Sequence, residues 1–150
     1  MPADLPQLDL DAQLCFPLYA ASRALTRRYA PLLAAAGLTY PQYLAMLALW
    51  EAPEPLTVGD LGRRLRLDSG TLTPVLKRLE VAGHLARRRD ISDERRVLIE
   101  VSDAGWRLRQ QVASVPAQLL AGVDLLPEDG AELHRLLGEL LDELDRAQPT

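Results

Sequence analysis

Cysteine is almost absent from this chain: Cys15 is the only one among 150 residues. A single thiol forms no disulfide within its own chain and supplies no Cys-only metal site. The two histidines, His84 and His134, are far apart and fit no ligand spacing with it, so no metal is expected. A Gly-rich phosphate loop is also missing, and no cofactor is expected. No stretch approaches the roughly 18 uninterrupted apolar residues of a membrane span. Met1-Pro2-Ala3-Asp4 lacks the basic-then-apolar order of an export signal. At this length one compact domain is the expectation, and one unpaired thiol points to the reducing cytoplasm.

The net charge of −4 hides an uneven distribution. From Arg63 to Arg96 there are ten Lys/Arg against five Asp/Glu, a net of +5; the remainder holds seven against sixteen, a net of −9. A basic central third inside an acidic protein is the electrostatic footprint of a nucleic-acid surface. A solvated charged face is the other reading, and charge alone does not separate the two.

Apolar periodicity predicts helices at both ends and a short mixed segment between them. Residues 8–35 read as one long helix, with Leu14, Leu18, Leu25, Tyr29, Leu32 and Leu33 on its apolar side. Pro17 lacks an N–H and crowds the preceding turn, so the regular part is expected to begin near Cys15–Pro17. A second helix covers about 41–51 and ends before Pro53 and Pro55.

The central segment carries the fold. Thr57 caps a short helix through Leu65, Arg66-Leu67-Asp68 makes a tight turn, and Ser69 to about Ala82 forms a second helix closed by Gly83. Leu72, Val75, Leu76 and Leu79 give that helix its apolar stripe. Two short helices around a three-residue turn make a helix-turn-helix. Ser69, Gly70, Thr71, Thr73, Lys77 and Arg78 lie on the polar side, with small hydroxyls at the end where a recognition helix meets base edges. Two strands follow, Leu85–Arg89 with Arg87 and Val97–Val101, joined by Asp90-Ile91-Ser92-Asp93-Glu94-Arg95-Arg96. A charged hairpin at this place is a wing that can set arginines against phosphates or into a minor groove.

Ser102 caps a further helix that runs to about residue 120 with a break at Pro116, and Pro127 opens the last. The last helix bears Leu133, Leu136, Leu137, Leu140, Leu141 and Leu144, a stripe wide enough for an inter-subunit surface. Packing on the chain's own first helix is the alternative. The fold class expected is mainly α with a small β-wing. A winged helix-turn-helix over about 54–101 is flanked by N- and C-terminal dimerisation helices over about 8–35 and 102–147.

Positions 15, 19, 22, 26 and 29 step along one helical face, so Cys15 shares its stripe with Tyr19, Ser22, Thr26 and Tyr29. A free cysteine is often simple core filler. Hydroxyl neighbours and a helix N-terminus instead stabilise a thiolate, the oxidisable form. The residues leave both readings open.

Four segments, taken together and in order, resemble the MarR family of winged-helix repressors over essentially the whole chain. They are Leu14-Cys15-Phe16-Pro17-Leu18-Tyr19, Gly37-Leu38-Thr39-Tyr40-Pro41-Gln42-Tyr43-Leu44, Leu67-Asp68-Ser69-Gly70-Thr71-Leu72-Thr73-Pro74 and Ser92-Asp93-Glu94-Arg95. Within the family the chain resembles the one-cysteine organic hydroperoxide resistance regulators. The resemblance implies that Cys15 senses peroxide and that Tyr29 and Tyr40 bond its sulfur, Tyr40 coming from the other subunit. It also implies that Tyr19 belongs to the pocket, and that Asp93 and Arg95 shape the wing tip that enters the minor groove, beside Arg96. Two departures stand out. No second cysteine lies near Leu119–Leu126, where some relatives carry a resolving one, and Pro17 replaces a non-proline apolar residue.

The function implied is a cytoplasmic homodimeric repressor, not an enzyme, that binds an inverted repeat of double-stranded DNA. It releases the DNA when an organic hydroperoxide oxidises Cys15 and a low-molecular-weight thiol caps the product. Two alternatives remain at this level: a repressor relieved by a small aromatic ligand, and a thiol peroxidase that turns over through Cys15.

Overall fold

The structure is a computed structural model that describes residues 5–147. The four residues on which the export-signal reading rests lie outside this range.

The chain enters through two single-turn 3₁₀ helices, Pro6–Leu8 and Leu10–Ala12, and only then begins α1, Cys15–Ala34. The long helix expected over 8–35 is thus shortened at its start. Pro17 sits in the first turn of α1, where its missing N–H costs no intrahelical bond. Gly37, at φ 66°, turns the chain by a left-handed step that glycine takes without a Cβ penalty. α2, Tyr40–Glu51, follows at once. Gln42 Oε1 accepts the Thr39 N–H at 2.8 Å and fixes the first turn of α2.

β1, Leu56–Thr57, is a two-residue strand with no sequence signal of its own; it pairs antiparallel with the strand Val97–Val101, Leu56 opposite Ile99. Thr57 then caps α3, Val58–Leu65, through a reciprocal box with Asp60. Arg66 ends α3 in the left-handed region at φ 55°, and Asp68 caps α4, Ser69–Val81. β2, Leu85–Arg89, and β3, Val97–Val101, form the wing hairpin with Arg87 opposite Ile99, giving a sheet of order β1-β3-β2.

α5, Asp103–Gln111, starts at the Ser102 cap, and α6 covers Val115–Leu120. The break between them falls at 112–114 rather than at the expected Pro116, because proline is tolerated in a first turn and Pro116 occupies the first turn of α6. The core joins Leu33, Tyr43, Met46 and Trp50 to Leu61, Leu72, Leu76, Leu79, Leu85 and Ile99. Each element of the helix-turn-helix therefore gives one face to a shared interior, which fixes what α4 turns outward. Gly105 passes so close to the His84 carbonyl that a Cβ there would stand 2.1 Å from it, and Trp50 Nε1 donates to the Gly105 oxygen at 3.0 Å.

The chain divides after Leu119 into two compact units, the second built on α7, Pro127–Ala147. No residue of α7 is buried, and Leu133, Leu136, Leu141 and Leu144 are exposed. Among twenty residues of α1 only Leu33 is buried, and Leu14, Phe16, Tyr19 and Leu25 face solvent. Among the described residues no helix is long and apolar enough to cross a membrane.

Candidate DNA-binding surface and thiol site

α4 buries Leu72, Leu76 and Leu79 and exposes Ser69, Gly70, Thr71, Thr73, Lys77 and Arg78, so all six expected contact residues share its free side. The cap orders the N-terminal end. Asp68 Oδ1 accepts the Thr71 N–H at 2.8 Å and Asp68 Oδ2 accepts the Thr71 hydroxyl at 3.0 Å. These bonds hold the Asp68 carboxyl below its usual range, so it stays ionised at the helix N-terminus. The Thr71 hydroxyl donates to the cap and keeps only its acceptor side for an outside group.

The wing tip is braced by two aspartates. Asp90 Oδ1 accepts the Ser92 N–H at 2.9 Å and the Ser92 hydroxyl at 2.7 Å, and Asp90 Oδ2 lies 3.4 Å from Arg96 Nη1. Asp93 Oδ1 accepts the Arg95 N–H at 3.1 Å and Arg95 Nε at 3.2 Å. The Arg95 side chain remains 93% exposed, a cation on a fixed stalk. Between this tip and α3 runs an open groove of about 530 Å³ lined by Thr57, Asp60, Arg63, Arg95 and Arg96.

Arg87 behaves differently. Its Nε is buried 3.3 Å from Glu80 Oε2, at ion-pair distance but without the alignment of a hydrogen bond. Its charge is engaged by α4 rather than held out like that of Arg95. Arg88 pairs with Glu100 across the hairpin. Alternation along β2 decides this division, and charge counting along the sequence could not resolve it.

Cys15 is the first residue of α1 and is exposed. The stripe that shares its face does not converge on the sulfur. The Thr26 hydroxyl donates to Ser22 O of its own helix at 2.9 Å. The Tyr19 hydroxyl, one turn from Cys15, accepts from Arg23 Nη1 at 3.0 Å, and that guanidinium also lies over the Tyr19 ring. Tyr29 is fourteen residues further on, about 21 Å along the helix axis.

Tyr29 instead joins α2. Its ring stacks on Tyr40 with centroids 4.3 Å apart and planes 21° from parallel, and meets Tyr43 at 5.7 Å and 43°. Burial, and then the neighbouring phenols of Tyr40 and Tyr43, push the Tyr29 hydroxyl up to about 12. Burial likewise raises Tyr40, and burial together with Tyr40 raises Tyr43. All three phenols are therefore protonated donors at any physiological pH. Tyr29 and Tyr40 thus form one pair on one protomer, out of reach of the Cys15 of their own chain. Sequence reasoning gave Tyr43 no role, although its spacing of three from Tyr40 on a helix places the two on one face.

Residues 38–97 match the model of the MarR family. The chain is 47% identical over 137 residues to the organic hydroperoxide resistance transcriptional regulator of Bacillus subtilis (strain 168), a match that covers 91% of this chain and 92% of that one. It is similar in structure to reduced AbfR bound to DNA, with a TM-score of 0.79, 36% identity and coverage of 94% and 96%; AbfR comes from Staphylococcus epidermidis. The disulfide-formed AbfR matches with a TM-score of 0.57 at 39% identity, covering 91% and 95%.

Proposed function

The chain belongs to the MarR family, and we propose that it is a homodimeric transcriptional repressor that releases DNA when an organic hydroperoxide oxidises Cys15. The observation that carries this reading is the exposed thiol at the start of a helix whose apolar face is uncovered in its own chain. A second copy supplies both the cover and the missing phenols. Leu14 before α1, with Phe16 and Leu25 on it, and separately the leucines of α7, are apolar surfaces of the kind that a two-fold dimer hides. In that dimer Cys15 of one subunit meets Tyr29 and Tyr40 of the other, and Tyr19 closes the pocket beside the sulfur. The pairing differs from the expectation that Tyr40 alone crosses the interface, because the ring stack keeps Tyr29 and Tyr40 together.

Two copies of α4 present Ser69, Gly70, Thr71, Thr73, Lys77 and Arg78 to successive major grooves of an inverted repeat. Arg95, set by Asp93 and flanked by Arg96, reaches the adjacent minor groove. The winged helix-turn-helix over about 54–101 carries the DNA contacts, and the helices on either side of it carry the dimer.

The chemistry is stoichiometric. The Cys15 thiolate attacks the outer oxygen of ROOH, the O–O bond breaks, and the products are Cys15–SOH and an alkoxide that takes a proton to become ROH. A low-molecular-weight thiol then condenses with the sulfenic acid, forming a mixed disulfide and water. The adduct enlarges the side chain and removes the thiolate as an acceptor for the Tyr29 and Tyr40 hydroxyls. Those bonds cross the interface, so their loss favours another arrangement of the two DNA-reading units. A hundredfold weaker grip on DNA requires about 2.7 kcal/mol. Two charge-assisted bonds at about 1.5–3 kcal/mol each cover it. The similarity to transcriptional regulators supports a stoichiometric sensor over the peroxidase alternative.

Fluorescence anisotropy on DNA from the protein's own upstream region tests the proposal. With cumene hydroperoxide and a small thiol, the wild type is expected to release DNA and Cys15→Ser to stay bound. Release by both would overturn it in favour of a different trigger.

A further inference from the structure

We infer that Tyr43 is a positioning residue of the thiol site: its buried ring backs Tyr29 and holds it in the stack that Tyr29 and Tyr40 present to the sulfur. The inference rests on the reading above, in which the two phenols meet the partner subunit's thiol.

The argument starts from the unequal burial of three rings. Tyr29 and Tyr40 are half-buried, whereas Tyr43 is 2% exposed and belongs to the core with Leu33, Met46 and Leu61. Tyr29 is the member that touches both others, Tyr40 at 4.3 Å and Tyr43 at 5.7 Å. One of its neighbours is therefore a partly exposed ring, and the other is a ring enclosed by the interior. The tilt of 43° between Tyr29 and Tyr43 is a geometry in which one ring braces another, since aromatic pairs favour offset or tilted contact over a face-to-face sandwich.

The backbone supports the same arrangement. Tyr40 and Tyr43 are three apart on the first turn of α2, which the Thr39–Gln42 bond fixes and where Tyr43 N donates to Thr39 O at 2.9 Å. Tyr29 arrives from α1 across the Gly37 turn. Core, Tyr43, Tyr29 and Tyr40 thus form a sequence from rigid to exposed. A donor acts on a reacting atom only when held in place before it arrives, and its orientation depends on packing behind it. The ring contact of Tyr43 is with Tyr29, and its packing reaches the sulfur through that contact.

The experiment measures the rate of Cys15 oxidation by cumene hydroperoxide, followed by trapping of the sulfenic acid. It compares wild type, Tyr29→Phe, Tyr43→Leu, Tyr43→Phe and the double variant Tyr29→Phe/Tyr43→Leu. Tyr43→Leu is expected to slow oxidation about tenfold. Tyr43→Phe keeps the ring and is expected to react at the wild-type rate. The double variant is expected to match Tyr29→Phe alone, since a residue that acts through Tyr29 has nothing to act on once that hydroxyl is gone. Independent, multiplying effects in the double variant would overturn the inference, as would a wild-type rate in folded Tyr43→Leu. A full loss in folded Tyr43→Phe would also overturn it, by making the hydroxyl rather than the ring the active part. Should Tyr43→Leu not fold, Tyr43→Met fills the site more closely and carries the same comparison. If Tyr29→Phe itself oxidises at the wild-type rate, it is the pocket reading that fails.

Discussion

The rings of Tyr29 and Tyr40 lie nearly parallel with centroids 4.3 Å apart, on a chain whose Cys15 stands about 21 Å from Tyr29 along α1. The distance is set by helix geometry and no side-chain rotation closes it. A thiol site that uses both phenols has to be shared between two copies.

Mixing two inactive variants tests that sharing. Tyr29→Phe/Tyr40→Phe keeps the thiol and loses the donors; Cys15→Ser keeps the donors and loses the thiol. Losing two bonds at about 1.5–3 kcal/mol each slows oxidation of the first variant by well over tenfold. After subunit exchange, stopped-flow oxidation is expected to regain a fast phase whose amplitude follows the share of mixed dimer. A thiol served by its own chain's tyrosines would show no such recovery.

The two wing arginines are expected to separate by assay. Arg95 is held out by Asp93, so Arg95→Ala weakens DNA binding about tenfold and lowers the salt slope of log K by about two, one for each wing of the dimer. Arg87 is engaged with Glu80, so Arg87→Ala should leave the salt slope nearly unchanged and lower the melting temperature instead. Anisotropy titrations from 50 to 200 mM salt, beside a thermal melt, distinguish the two.

Acid should loosen α4 through its cap. The Asp68 carboxyl is held below its ordinary value of 3.8 by the N–H and hydroxyl of Thr71. A depressed folded-state value means that its contribution to stability is fully present above the unfolded value. It is lost as pH falls from there through the folded value. Asp68→Asn retains a capping side chain that does not titrate. Melting temperatures from pH 7 down to pH 3 should therefore fall less for the variant than for the wild type below about pH 4. Parallel curves would remove the cap from the account.

Gly105→Ala is expected to be severe. The added methyl would stand 2.1 Å from the His84 carbonyl oxygen, a backbone atom with no rotamer to escape into. Overpacking of this kind costs about 3 kcal/mol or more, roughly 6–12 °C in melting temperature for a chain of this size. Trp50 fluorescence reports the same event, since its indole N–H bonds the Gly105 carbonyl. An unchanged melting temperature would contradict the close approach.

Much of the fold was legible because it is written in short-range chemistry. Thr57 and Ser102 were readable as caps, and each accepts a backbone N–H at the start of its helix; Asp68, read only as the end of the turn, proves to cap α4 in the same way. Leu72, Leu76 and Leu79 were readable as a core stripe and are fully buried. Pro116 misled, since a proline signals either a break or a first turn and spacing alone does not choose. β1 was invisible because two residues carry no periodicity; its pairing with β3 makes it a strand.

The sequence by itself determined the helix-turn-helix, the wing and the one position at which a thiol is available, because capping, periodicity and the rarity of cysteine are local facts. Only the tertiary structure decided which arginines are tied inward and which tyrosines form one surface. Those outcomes depend on strand register and on the turn between α1 and α2, which bring together residues that the chain keeps apart.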